Sequence, residues 1–198
     1  MDALHAHSPA EAEYYLKVTP CPGCAKGPWE IQVRRPEQDA RSMSARCQNC
    51  HIERRFEFFC PEQDPAEANP EGDVINASDE PSRIIDVGQW LSLFFFLIDS
   101  AAKSPEKAET RKISFQAAQC LDEALKFYTP NDDLPLPSAF FVDTSREAMS
   151  RFPERFKLAR LRELRSKLPD FHTMARRVAD DLAGVHPPKK VKWRPWRK

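Results

Sequence analysis

The chain has 198 residues, with Lys plus Arg and Asp plus Glu balanced at 30 each and 41% of residues hydrophobic. That content supplies at least one core, in one domain or two small ones, and excludes a chain too polar to fold. The zero net charge hides a polarity: residues 61–143 hold 16 acidic and 6 basic side chains, a net of −10, while residues 144–198 hold 16 basic and 6 acidic, a net of +10. Anionic partners are therefore drawn to the C-terminal quarter. Met1–Glu13 is polar and acidic, unlike a secretory leader, and the most apolar run, Trp90–Ile98, is shorter than the roughly 20 residues a bilayer span needs. A soluble, cytoplasmic protein is expected, in which six cysteines serve metal or stay as thiols rather than pairing as disulfides.

In chain order, residues 1–13 read as a flexible terminus. Residues 14–60 read as short strands, at Tyr14–Val18, Trp29–Arg35, Ser42–Arg46 and Ile52–Phe59. The last alternates, with Phe56, Phe58 and Cys60 on one face. Residues 61–82 hold four prolines and seven acids with no basic or aromatic residue, the composition of a flexible linker. Residues 83–184 read as a helical domain of about four helices. The first spans about Arg83–Ala102. The second opens at Ser104 as N-cap with Pro105 behind it and carries an apolar stripe of Ile113, Ala117, Leu121, Ala124 and Tyr128. A third spans about Ser145–Leu168 with a kink at Phe152–Pro153, and a fourth Asp170–Ala183. Residues 185–198 form a basic, tryptophan-containing tail. The expected class is α+β: a small antiparallel sheet followed by a helical bundle.

The strongest chemical signal is Cys21-x2-Cys24, 22 intervening residues, then Cys47-x2-Cys50. Two residues between paired cysteines let both sulfurs reach one metal from a tight turn. A gap of that length lets a hairpin return the second pair to the same point. Four thiolates at tetrahedral vertices suit one structural Zn2+. An iron tetrathiolate and a redox dithiol are the weaker alternatives, the latter because its motif opens a helix within a βαβ unit. With CPGC and CQNC as its knuckles, the segment 14–60 resembles a zinc ribbon. The resemblance covers about a quarter of the chain and implies a three- or four-stranded antiparallel sheet, a structural metal on Cys21, Cys24, Cys47 and Cys50, and a surface that docks protein or nucleic acid. CQNC lacks the Pro and Gly of CPGC.

Other residues carry weaker signals. Cys60 and Cys120 read as buried thiols, His51 as a solvent-facing strand start, and His5 and His7 as parts of the loose terminus. Leu93–Ile98 is apolar all round, so its helix is either central in the bundle or meets a partner or second copy of the chain. The polar face bearing Arg151, Arg155, Lys157, Arg162 and Arg165 reads as solvated. In the tail, Lys189, Lys190, Lys192, Arg194, Arg197 and Lys198 interleave with Trp193 and Trp196. Cations with indoles can bind phosphates and stack on bases, sit at a lipid surface, or dock on the acidic middle of the chain. No glycine-rich phosphate loop, Gly-x-Ser-x-Gly elbow or His-Glu-x-x-His pair occurs. The expected role is a non-enzymatic adaptor or regulatory protein that recognises another protein, with nucleic-acid binding through the ribbon and tail as the alternative.

Overall fold

The computed structural model describes residues 4–36, 40–60 and 75–169. Within them lie a four-stranded sheet, five α-helices and two short 3-10 turns. The strands are β1 (Leu4–His5), β2 (Trp29–Pro36), β3 (Ala40–Cys47) and β4 (Glu53–Phe59), in the order β1-β4-β3-β2. β2–β3 and β3–β4 are antiparallel, but β1 runs parallel to β4, pairing Leu4 with Phe58 and His5 with Phe59. The sheet is thus mixed, not wholly antiparallel as expected.

The parallel edge has a local cause. Between β1 and the other three strands the chain forms a helix, α1 (Pro9–Val18), in place of the expected loose terminus and strand at Tyr14–Val18. Ser8 caps α1, its Oγ accepting from the Glu11 N–H at 3.1 Å, and Pro9 occupies the first turn. Ser-Pro-Ala-Glu is a helix-start signature. Glu11, Ala12, Tyr14 and Leu16 are buried; Tyr14 and Leu16 would share one face of a strand but lie on different sides of the helix, so α1 is covered on more than one side.

The inner sheet face carries Trp29, Met43, Ala45, Phe56 and Phe58, all buried, with Trp29 edge-on to Phe56 at 5.2 Å. The alternation expected for Phe56, Phe58 and Cys60 is observed; Phe59 points outward, its ring tilted 55° against that of His5 at 5.2 Å between centroids.

The helical part contains α2 (Val87–Lys103), α3 (Lys107–Leu125), α4 (Asp143–Arg151) and α5 (Leu158–Ser166). α2 and α3 form the expected hairpin, and the apolar stripe of α3 includes the buried Ala117, Leu121 and Ala124. Ser104 does not cap α3. Its backbone N–H closes α2 on Ser100 and Ala101, and Pro105 lies before the α3 start at Lys107. The helix expected over Ser145–Leu168 is two, because Pro153 stops α4 and starts a 3-10 turn, Pro153–Phe156, before α5. The expected helix at Asp170–Ala183 lies outside the described residues.

One buried cluster runs from the sheet through α1 into the helices. Tyr14 of α1 packs on Trp90 of α2 at 5.8 Å, and Trp90 is fully buried. Residues 75–82, read from composition as linker, enter this core: Ile75, Asn76 and Ser82 are buried. An acidic, proline-rich average concealed one isoleucine with a place to go. Residues 61–74 lie outside the described set.

Candidate metal centre

Two turns build the site. The first, Cys21–Cys24, follows α1 and precedes β2; the second, Cys47–Cys50, joins β3 to β4. Their backbones repeat one another. In the first, the Ala25 N–H donates to the Cys21 carbonyl (2.7 Å) and the Cys21 N–H to the Lys26 carbonyl (2.5 Å). In the second, the His51 N–H donates to Cys47 (2.9 Å) and the Cys47 N–H to Ile52 (2.9 Å). The residue after each second cysteine is left-handed, Ala25 at φ 54° and His51 at φ 61°. CQNC therefore makes the same turn as CPGC without its Pro and Gly. Neither turn uses a glycine where positive φ is required; a Cβ on Gly23 would instead meet the Ile52 side-chain tip at 2.3 Å.

Antiparallel pairing brings the two turns together: Trp29 opens β2 opposite Cys47, the end of β3, and the Gln48 N–H donates to the Pro28 carbonyl at 3.1 Å. Trp29 also anchors the end of α1, its Nε1–H donating to the Thr19 carbonyl at 2.9 Å. The four sulfurs lie within 4.8 Å of one another, with Cys21–Cys50 at 3.5 Å and Cys24–Cys47 at 3.7 Å. A regular tetrahedron of sulfurs about 2.3 Å from a metal has edges of about 3.8 Å. The cluster fits one ion held by four thiolates and is consistent with a zinc-ribbon-like module. Cys21 and Cys47 are buried, and Cys24 and Cys50 half-buried.

As free thiols Cys47 and Cys50 are unequal. The Cys50 N–H bond pulls the Cys47 thiol down to about 7 against the opposing effect of burial, aided by the Asn49 N–H. At Cys50 the Ile52 N–H pulls in the same direction, yet burial and the three neighbouring thiols prevail and push it up to about 12. A cation among the sulfurs relieves that crowding. Of the arginines that follow the second turn, Arg54 lies over the Phe56 ring at 5.2 Å and Arg55 pairs with Glu57 at 3.3 Å, both on the sheet.

The other cysteines stand apart. Cys60 is buried beyond β4 and Cys120 is fully buried in α3, as expected. His51 faces solvent as expected, directly after the second turn and two residues before β4 begins. His5 and His7 belong to ordered structure, His5 in β1 and His7 with its Nδ1 3.1 Å from Glu11. In Leu93–Ile98, Leu93, Phe94 and Leu97 are buried, whereas Phe95 is 41% and Phe96 65% exposed, so the helix is not enclosed on every side. Arg151, Arg155, Lys157 and Arg162 face solvent, while Arg165 reaches Asp122 at 2.6 Å. Lys189, Lys190, Lys192, Trp193, Arg194, Trp196, Arg197 and Lys198 lie outside the described residues. Among those described, no helix is long and apolar enough to cross a membrane. No protein-family model, curated protein or solved structure matches the chain.

Proposed function

We propose that this chain is a non-enzymatic adaptor, stapled by one structural zinc ion on Cys21, Cys24, Cys47 and Cys50, that recognises another protein. Zinc follows from the donor set: four soft thiolates arranged around one point suit zinc better than any ion preferring oxygen ligands. Four protein ligands leave no open coordination position for a reacting water or substrate, so the ion staples the fold.

The observation carrying the choice of partner is the charge pattern on the outer sheet face. Arg46 stands in register with Glu30 on one side and Glu53 on the other, and Arg55 pairs with Glu57 at 3.3 Å. Cations matched in this way by carboxylates offer little to a phosphate backbone, which binds through unmatched Lys and Arg. The exposed Phe95 and Phe96 supply apolar surface of the kind that protein interfaces cover. Tagged protein captured from its native lysate after nuclease treatment should retain a protein partner, and Phe95→Ser with Phe96→Ser should release it. Submicromolar binding of a random oligonucleotide at physiological salt would overturn this reading in favour of nucleic-acid binding through the ribbon and the basic tail.

A further inference from the structure

A cleft of about 510 Å3 opens where the segment before α2, the end of α3 and the loop leading to α4 meet. Phe127, Leu136, Ala139 and Phe141 give it an apolar lining. Phe127 lies edge-on to Phe141 at 6.2 Å, and Leu136 and Phe141 remain 50% and 39% exposed. Arg83 and Lys126 also line the cleft, each already held by a carboxylate, Glu80 at 3.1 Å and Glu123 at 2.7 Å. The chain around it is otherwise acidic. Residues 127–143 carry Asp132, Asp133 and Asp143 with no Lys or Arg, and residues 75–82 carry Asp79 and Glu80 with none. Asp79, Asp132 and Asp133 are exposed and have no cation partner among the described residues.

We propose that this cleft receives the chain's own C-terminal segment, residues 187–198, with Trp193 or Trp196 in the apolar seat and the flanking cations against Asp79, Asp132 and Asp133. The chemistry matches on both counts. The segment holds two tryptophans, six Lys or Arg and no acid. An indole can bury its ring against Leu136 and Phe141 while offering a face to Arg83 or Lys126. Unmatched carboxylates around the seat attract Lys and Arg and repel an acidic occupant. The seat is also held in place, since Lys126 Nζ donates to the Asn76 carbonyl at 3.0 Å and ties the end of α3 to the segment before α2. Reach is ample. Arg165 fixes the point where the described chain ends, its Nε 2.6 Å from Asp122 Oδ1 and its Nη1 donating to the Pro169 carbonyl at 3.3 Å. Asp122 precedes Lys126 by one helical turn, about 6 Å along α3. The 24 residues from Pro169 to Trp193 would span about 36 Å even if wholly helical.

The test is fluorine NMR of the full chain labelled with 5-fluorotryptophan, with a neutral gadolinium chelate as probe of solvent access. Trp193→Phe and Trp196→Phe assign the two tail signals, and the buried Trp29 and Trp90 supply the protected reference. At least one tail indole should relax about threefold less than in a free peptide of residues 187–198, since a seated ring is shielded from solvent. Leu136→Lys, at an exposed position, should bring that signal to the free-peptide value while the Trp29 and Trp90 signals stay in place. Asp132→Lys with Asp133→Lys should weaken the protection, and Val33→Ser, on β2, should leave it as in the parent. Tail indoles as accessible in the parent as in the peptide, or protection untouched by Leu136→Lys, would overturn the proposal. Protection that fades on dilution would also overturn it, because the tail would then be seated on a second copy.

Discussion

Asp86 Oδ1 accepts the Ser145 hydroxyl at 2.8 Å, joining the first turn of α2 to that of α4 across 59 residues of sequence. The same oxygen caps α2 through the Gln89 N–H at 2.8 Å, and Oδ2 accepts the N–H groups of Phe141 (2.8 Å) and Val142 (3.1 Å). The Gln89 side chain returns a bond to the Asp86 N–H at 2.9 Å, completing a capping box. A fully buried carboxylate is tolerable because four donors meet it. Asp86→Ala strips all four of their acceptor and should cost about 3 kcal/mol or more, whereas Ser145→Ala removes one donor and should cost about 1 kcal/mol. Urea unfolding of the metal-loaded protein measures both. Equal, small losses would show that the carboxylate does not organise the α2–α4 junction.

Gly88, two residues on, sets how closely α4 approaches α2. A Cβ there would lie 2.6 Å from Ser145 Oγ, 2.7 Å from its Cβ and 3.2 Å from its Cα. Ser145 cannot swing away without leaving Asp86, so Gly88→Ala should destabilise by about 1–3 kcal/mol despite the better helix propensity of alanine. Pairing it with Ser145→Ala should recover part of the loss. A neutral or stabilising Gly88→Ala would mean that the helices separate readily.

The thiols should fall into two classes. Burial holds the Cys120 thiol up at about 12, with Lys17 opposing weakly and Glu123 reinforcing, so at pH 8 almost none is thiolate. Native, metal-loaded protein treated with a maleimide at pH 8 should show Cys120 unmodified by peptide mapping. A chelator should expose Cys21, Cys24, Cys47 and Cys50 to the reagent, and Cys120 should follow only in denaturant. Modification of Cys120 in the native protein would contradict its place in the core.

Much of this was legible in the sequence where a local rule acts alone. The paired Cys-x2-Cys spacing brought the right four residues together, since a turn and a hairpin are enough to place them. The alternation of Phe56, Phe58 and Cys60 gave the inner face of β4. What was missed depended on contacts distant in sequence. Ser8-Pro9-Ala10-Glu11 is a helix start that was in plain view, but a polar terminus with two histidines suggested disorder. Ser8 and Ile75 are buried where they meet, the Ser8 hydroxyl donating to the Ile75 carbonyl, and no window of composition contains both. Asp86 marked only the edge of an apolar run until Phe141, Val142 and Ser145 arrived beside it. Ser104–Pro105 offered a cap that the end of α2 took instead.

One zinc ion on Cys21, Cys24, Cys47 and Cys50 is expected to hold the fold of the sheet. The most direct measurement is the zinc content of purified protein by elemental analysis, beside variants with Cys21, Cys24, Cys47 or Cys50 replaced by serine. One equivalent per chain is expected in the parent, and much less than one in each variant, with loss of protection in the β2–β4 peptides on exchange, since metal binding here is folding energy. Undiminished, stoichiometric zinc in a variant lacking all four cysteines, or no zinc in parent protein purified without chelator, would contradict the account.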